Sequence, residues 1–187
     1  MKHENDEAIY RRYRQQRDER DLESLLLRHR EGLTLFANTV LHDLDDAEEI
    51  MLDTFAVAAS RTTRFDGRSS FKTWLYSIAR KLAVTRLRKK RLRIVSLDDS
   101  FAKRPDEDAL EGEFQLLQSE RNRELYQSLA QLHPNYQQVL YLLYVEQISA
   151  KEVARIMHRT TKQIYNLTQR GRDALREELA KGAAIDA

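Results

Sequence analysis

Cysteine is absent from the 187 residues, which excludes disulfides and any thiolate-ligated metal centre. Proline occurs only twice and glycine five times, while Leu, Ala, Arg, Glu and Gln abound. That balance favours helices over strands. No run of about 18 apolar residues occurs, so no membrane-inserted helix is expected. The opening MKHENDEAIYRRYRQQ is polar and has no apolar stretch of the kind a signal peptide needs. The five histidines are scattered at positions 3, 29, 42, 133 and 158. Neither a nucleophile elbow nor a glycine-rich phosphate loop appears. The expectation is an all-α, cytoplasmic protein with no cofactor, no metal and no catalytic residue.

What is present is charge, and it is sorted. Charged residues make up 33% of the chain and hydrophobic residues 41%, with a formal net charge of only +2. Residues 61–93 hold twelve Lys and Arg against the single acid Asp66, a local +11; residues 96–120 hold eight acids against Lys103 and Arg104, a local −6. A solvated helix face usually mixes signs in i,i+4 pairs. An unbalanced basic block is the electrostatic footprint of a polyanion site.

Apolar spacing divides the chain into segments. Leu22, Leu25, Leu26, Leu33, Phe36, Ala37 and Val40 predict one helix over 21–41. A second is expected to start at Asp46, with that carboxylate as its cap, Glu49 three residues on, and Ile50, Met51, Thr54, Phe55 and Ala58 buried. FDGRSS at 65–70 reads as a turn in which Gly67 gives backbone freedom and Ser69 or Ser70 caps the next helix. Phe71, Trp74, Leu75, Ile78, Ala79 and Leu82 then line one face of a long helix that continues into RLRKKRLR. The acidic stretch from about 95 to 120, with Pro105 and Gly112, reads as a linker, with room for a short helix around 109–118. Periodicity resumes at Leu125, Leu129 and Leu132, and again after His133-Pro134 at Val139, Leu140, Leu142 and Leu143.

Two capping boxes follow, Ser149 with Glu152 and Thr160 with Gln163. The first opens a short helix with Val153, Ala154, Ile156 and Met157 inward. The second opens a helix whose Ile164, Leu167, Gly171 and Leu175 face in, and the turn between them falls at His158-Arg159. Two short helices with a tight turn and a polar outer face on the second make a helix-turn-helix plan, though spacing alone does not separate DNA reading from ordinary packing.

DDAEEIMLDTF at 45–55, SSFKTWLYSIARKLAVTRLRKKR at 69–91, and the stretch 126–175 with its two capping boxes resemble, in order and spacing, an extracytoplasmic-function sigma factor of the sigma-70 family. The resemblance covers most of residues 20–180. It implies two small helical domains joined by a flexible acidic linker: region 2 at 1–94, linker at 95–120, region 4 at 121–181, and a tail at 182–187. It implies a factor that directs core RNA polymerase to promoter DNA by recognising −35 and −10 elements and melting the duplex, and it implies an anti-sigma partner. The acidic helix resembles the family's polymerase-docking element, which places Asp46, Glu48, Glu49, Leu52 and Asp53 at that contact. Leu52 stands where the family commonly has Gln.

The signature from Phe71 to Leu75 resembles the melting helix. It assigns −10 contacts to Phe65, Arg68, Ser69, Ser70, Lys72, Tyr76, Arg80 and Lys81, and phosphate contacts to the basic tail Arg88, Lys89, Lys90 and Arg91. Trp74 is expected in the core. Thr161, Lys162, Gln163, Tyr165, Asn166, Gln169, Arg170 and Arg172 fall on the −35 reading helix, where amides and Arg suit base edges; Arg172 could equally make a salt bridge within its domain. His158 stands where a turn glycine is usual and is expected at positive φ. Two rival readings remain: an ordinary helix-turn-helix regulator, which leaves the melting signature unexplained, and an enzyme built on Asp45, Asp46, Glu48 and Glu49, whose position at a helix start is more ordinary for caps.

Overall fold

A computed structural model describes residues 4–97 and 128–185 of the protein. Among them every regular element is helical, in two units. The first begins with a helix that apolar spacing did not disclose: α1, Asp6–Gln16, capped by Asn5, whose side chain accepts from the Glu7 amide. Only three of its residues, Ile9, Tyr10 and Tyr13, are buried. Polar ties add to them: Arg12 donates to Asp21 at 2.6 and 2.8 Å, and Asp6 receives Arg28 and His29 at 2.9 and 2.7 Å.

Helix α2, Glu19–Leu41, starts two residues before the expected position 21 because Asp18 caps it. It buries Leu25, Leu33, Phe36 and Ala37 completely and ends at His42 in the left-handed region, φ 51°. Helix α3 spans Leu44–Ala59. Its cap is Asp43, which accepts from the Asp46 amide at 3.0 Å. The expected start at Asp46 is therefore corrected by two residues. The physical consequence is that the Asp46 carboxylate is released from capping and free to pair elsewhere.

After a loop in which Gly67 takes φ 73°, Ser70 caps α4, Phe71–Leu97, by accepting from the Thr73 amide at 3.1 Å. Phe71, Leu75, Tyr76, Ala79 and Ala83 of α4 are fully buried against α2 and α3. Each large side chain buried there contributes roughly 1.5–3 kcal/mol. Trp74 joins the core as expected, its ring 5.4–5.6 Å from those of Tyr10, Phe65 and Phe71. The linker expected over 95–120, and Leu125, lie from residue 98 onward outside the described residues.

The second unit resumes at helical residues 128–130 and builds α5, Pro134–Leu140, with His133 as cap and Pro134 in the first turn, where its missing N–H is harmless. A π-helical turn, Tyr141–Val145, continues α5 directly. Helix α6, Ala150–Met157, and helix α7, Thr161–Ile185, complete it. Both capping boxes form: Ser149 Oγ accepts from the Glu152 amide at 3.3 Å, and Gln163 Oε1 accepts from the Thr160 amide at 2.9 Å. His158 takes φ 51° between them. Gly171 lets α7 press on α5, since a Cβ there would lie 3.2 Å from Tyr136 Cβ and 3.3 Å from Leu140 Cδ1. Finally, α6 packs on α4 and α5 on α2, which joins the two units.

Candidate nucleic-acid interface

Three surfaces collect the residues singled out by sequence. On α3, Glu48, Glu49, Leu52 and Asp53 are exposed, and Leu52 keeps 56% of its surface open among the acids. Glu48 has no polar partner among the described residues. The others do not wait unpaired: Arg86 of α4 bridges Asp46 and Glu49 at 2.8 and 2.7 Å and lies 3.7 Å from Asp53. Lys90, expected to face DNA, instead reaches back to Asp43 at 2.8 Å and to Asp46. The amide of Asp46 and then the Lys90 ammonium hold the Asp43 carboxyl below its ordinary value. The basic tail is thus split. Arg86 and Lys90 neutralise α3, and Arg88, Lys89 and Arg91 stay exposed. The sequence reading missed this because pairing was sought within one helix, whereas the acids stand about 40 residues earlier in the chain.

The second surface is the start of α4 and the loop before it. Phe65 is half-buried, edge-on to Tyr10 and Phe71. Beside it opens a cleft of about 400 Å³ lined by Glu7, Tyr10, Arg11, Arg14, Arg64, Phe65, Asp66 and Gly67. Sequence reasoning missed Arg11 and Arg14; the only signal present was the run of Arg at 11, 12 and 14, which carries no apolar stripe. Arg14 donates to the carbonyl of Ser60, tying α1 to this loop. Arg68 is exposed beside Asp66, and Ser69 is half-buried. Lys81 is exposed.

Four residues assigned to this surface meet the second unit or the core instead of solvent. Ser70 Oγ bonds to Glu152 Oε1 at 3.2 Å, and Lys72 pairs with Glu146 at 2.6 Å. Arg80 donates to Gln138 Oε1 at 3.1 Å; burial, then the charge of Arg159, lowers its pKa. Tyr76, expected on the outer face, is fully buried, its ring 5.3 Å from that of Phe36. Burial and the nearby Glu146 raise its pKa, so it remains a neutral phenol. The correction follows from α4 being covered on more sides than its apolar stripe indicates.

The third surface is the outer face of α7. Lys162, Gln163, Tyr165, Asn166, Gln169, Arg170 and Arg172 are all exposed, Tyr165 by 63%, and Thr161 is half-buried. Arg172 makes no ion pair among the described residues. Apart from Gln163, whose amide oxygen closes the capping box, this row is uncommitted.

A helix-turn-helix with an open polar face, tied to a second helical unit carrying a basic, aromatic helix, is the arrangement of a nucleic-acid-binding protein. Comparison with known proteins makes the class specific. The model for Sigma-70 region 2 matches residues 25–93, and that for Sigma-70, region 4 matches residues 122–175. The ECF RNA polymerase sigma factor SigW of Bacillus subtilis is 28% identical over 148 residues, covering 75% of this chain and 79% of that protein. The RNA polymerase sigma factor YlaC of the same organism is 27% identical over 185 residues, covering 97% and 96%. In fold, the chain is similar to the sigma factor RpoE of Bartonella quintana solved with the anti-sigma factor NepR, at TM-score 0.67 and 24% identity over 86% of this chain and 97% of that one. The chain belongs to the extracytoplasmic-function group of the sigma-70 family. It is a promoter-specific RNA polymerase sigma factor, with core polymerase and promoter DNA as its partners.

Proposed function

We propose that the three surfaces divide promoter opening among them. The exposed acids of α3, Glu48, Glu49 and Asp53 with Leu52 among them and Asp46 behind, dock on a basic, partly apolar surface of core polymerase. Short carboxylates on a rigid helix pair well with guanidinium groups, and Leu52 adds apolar contact. The loop and first turns of α4, Phe65 to Lys81, hold the separated −10 strand, with Arg88, Lys89 and Arg91 on the phosphates of the adjoining duplex. Opening base pairs costs roughly 1–2 kcal/mol per stacked step, so the protein must offer stacking and phosphate contacts that only the open strand can use. Helix α7 reads −35 through Gln169, Arg170, Asn166 and Gln163, with Lys162 on phosphate.

This assignment runs over region 2 at 1–94, a linker at 95–120, region 4 at 121–181 and a tail at 182–187. The protein works in the cytoplasm beside the polymerase and catalyses no reaction of its own. An anti-sigma partner belongs to the reading, supported by the two structural neighbours, RpoE and CnrH, solved in complex with NepR and with the cytosolic domain of CnrY. The observation that carries the assignment is the row of exposed acids on α3 set directly against the basic helix α4. A duplex-binding regulator has no use for that pairing. Run-off transcription with purified core polymerase tests it: the added chain should produce a discrete start site on its own promoter, and a regulator would produce none.

A further inference from the structure

Helix α1 grips the loop that leads into α4 at both ends. Tyr10 Oη donates to the Ala58 carbonyl at 2.8 Å, Arg17 to the Ala59 carbonyl at 3.0 Å, and Arg14 to the carbonyls of Ser60 and Arg61. At the far end, Glu7 Oε1 accepts from the Phe71 amide, the first of α4, at 2.7 Å. The cleft of about 400 Å³ between α1 and this loop is held in shape by these bonds. Its acids are already committed: Glu7 to that amide, and Asp66 to the amide and guanidinium of Arg68 at 3.1 and 3.2 Å. Two of its cations are not. Arg11 on the α1 wall and Arg64 on the loop wall are exposed, and neither has a polar partner among the described residues. Phe65, half-buried, lines the same cleft.

The place of the cleft along α4 indicates what enters it. Arg88, Lys89 and Arg91, placed above on the upstream duplex, lie roughly 25–30 Å from Phe71 at about 1.5 Å of rise per residue. A strand that leaves that duplex and runs along α4 reaches the cleft last, beyond the −10 bases. We propose that the cleft anchors the sugar-phosphate backbone of the unpaired strand immediately downstream of the −10 element, with Arg11 and Arg64 on phosphates and Phe65 against the nucleotide between them. This rests on the reading of α4 as the strand-binding helix. A guanidinium fork fits two phosphate oxygens at once. Phosphate contacts fix position and carry no sequence information, so the site accepts any base there. The loop, already held by α1, has little left to order on binding.

Because the chain has no cysteine, Gln15→Cys, exposed one turn along α1 from Arg11, takes an iron chelate at one place before core polymerase is added. In the open complex that chelate should cut the non-template strand between the −10 element and the start site. Cuts confined to the upstream duplex, or none in that interval, would overturn the proposal. The same chelate at Lys81→Cys tests α4 by itself: cuts outside the −10 element would sink that assignment, and the Gln15→Cys pattern would still decide what α1 faces. Affinity gives a second reading. Holoenzyme carrying Arg11→Gln and Arg64→Gln should bind a non-template oligonucleotide that extends about six nucleotides past the −10 element roughly tenfold more weakly than unaltered holoenzyme. Its slope of log affinity against log salt should flatten by about 0.7 for each phosphate released. An oligonucleotide ending at the −10 element should bind both alike, and so should a −35 duplex, which checks folding. Equal loss on the two oligonucleotides, or no loss on the longer one, would likewise end the proposal.

Discussion

Helices α4 and α7 are both long and basic, yet the chain treats them in opposite ways. On α4, Ser70 at the cap, Lys72, Thr73, Arg80, Arg86 and Lys90 all meet groups from other elements. On α7, the residues from Lys162 to Arg172 on the outer face meet solvent. One helix is covered by its own protein, and the other is presented. Charge density along the sequence therefore says where a polyanion could bind, and only the fold says whether the site is vacant. Pairing of this kind is weak enough to be exchanged: Glu49 is 64% exposed in its bridge to Arg86, and such exposed pairs contribute about 0–1 kcal/mol. A polymerase guanidinium can take over the carboxylate without a large penalty.

The contrast is best attacked first at the presented helix. Changing Gln169 and Arg170 together to Ala should weaken binding of a −35 duplex by at least about tenfold, since a good base contact is worth about 1–3 kcal/mol. Affinity for core polymerase should be unaltered in a pull-down with labelled core; parallel loss of both would show a folding defect. Next, Glu48→Lys with Glu49→Lys should lower polymerase affinity roughly tenfold, about 1.4 kcal/mol, and leave the −35 duplex bound as before. Equal competition by the altered and unaltered chains for core would remove α3 from the docking surface. A smaller effect is expected from Arg88→Gln, Lys89→Gln and Arg91→Gln in the holoenzyme. The slope of log affinity against log salt should flatten by about 0.9 for each duplex phosphate that is no longer neutralised. The same change at Arg86 and Lys90 should flatten it less, because those two already face acids.

The smallest effect is on pH. Burial raises the Glu152 pKa, but hydrogen bonds from Thr73, Ser149 and Ser70 outweigh it, so the group titrates below its ordinary 4.5. A depressed carboxyl stabilises the contact between the two units fully above its ordinary value and loses that contribution as pH falls through the lowered one. Energy transfer between dyes on the two units should accordingly hold above the ordinary carboxyl value of 4.5 and decline only as pH falls below it, and less steeply in Glu152→Gln.

Much of this was legible one segment at a time. The stripe from Leu22 to Val40, the Gly67 turn, both capping boxes and the positive φ of His158 follow from residues within a few positions of one another, and each appears in the fold. Helix α1 did not show itself, because with three buried residues it leans on ion pairs to Asp21 and Arg28 and a hydrogen bond to His29. The α3 cap was misplaced because three aspartates, Asp43, Asp45 and Asp46, compete for one role within four residues. Spacing does not rank them; backbone geometry does, with Asp43 extended at φ −159°.

The sequence by itself determined that the chain is helical and that one basic block and one helix-turn-helix exist. Those are properties of neighbours, governed by 3.6-residue periodicity and by caps that reach two or three amides along. Only the tertiary structure decided which charges are vacant. Lys72 and Glu146 lie 74 residues apart, and Arg86 and Asp46 lie 40 apart. Coulomb attraction acts through space over a few ångströms, so no local pattern could have announced either pair.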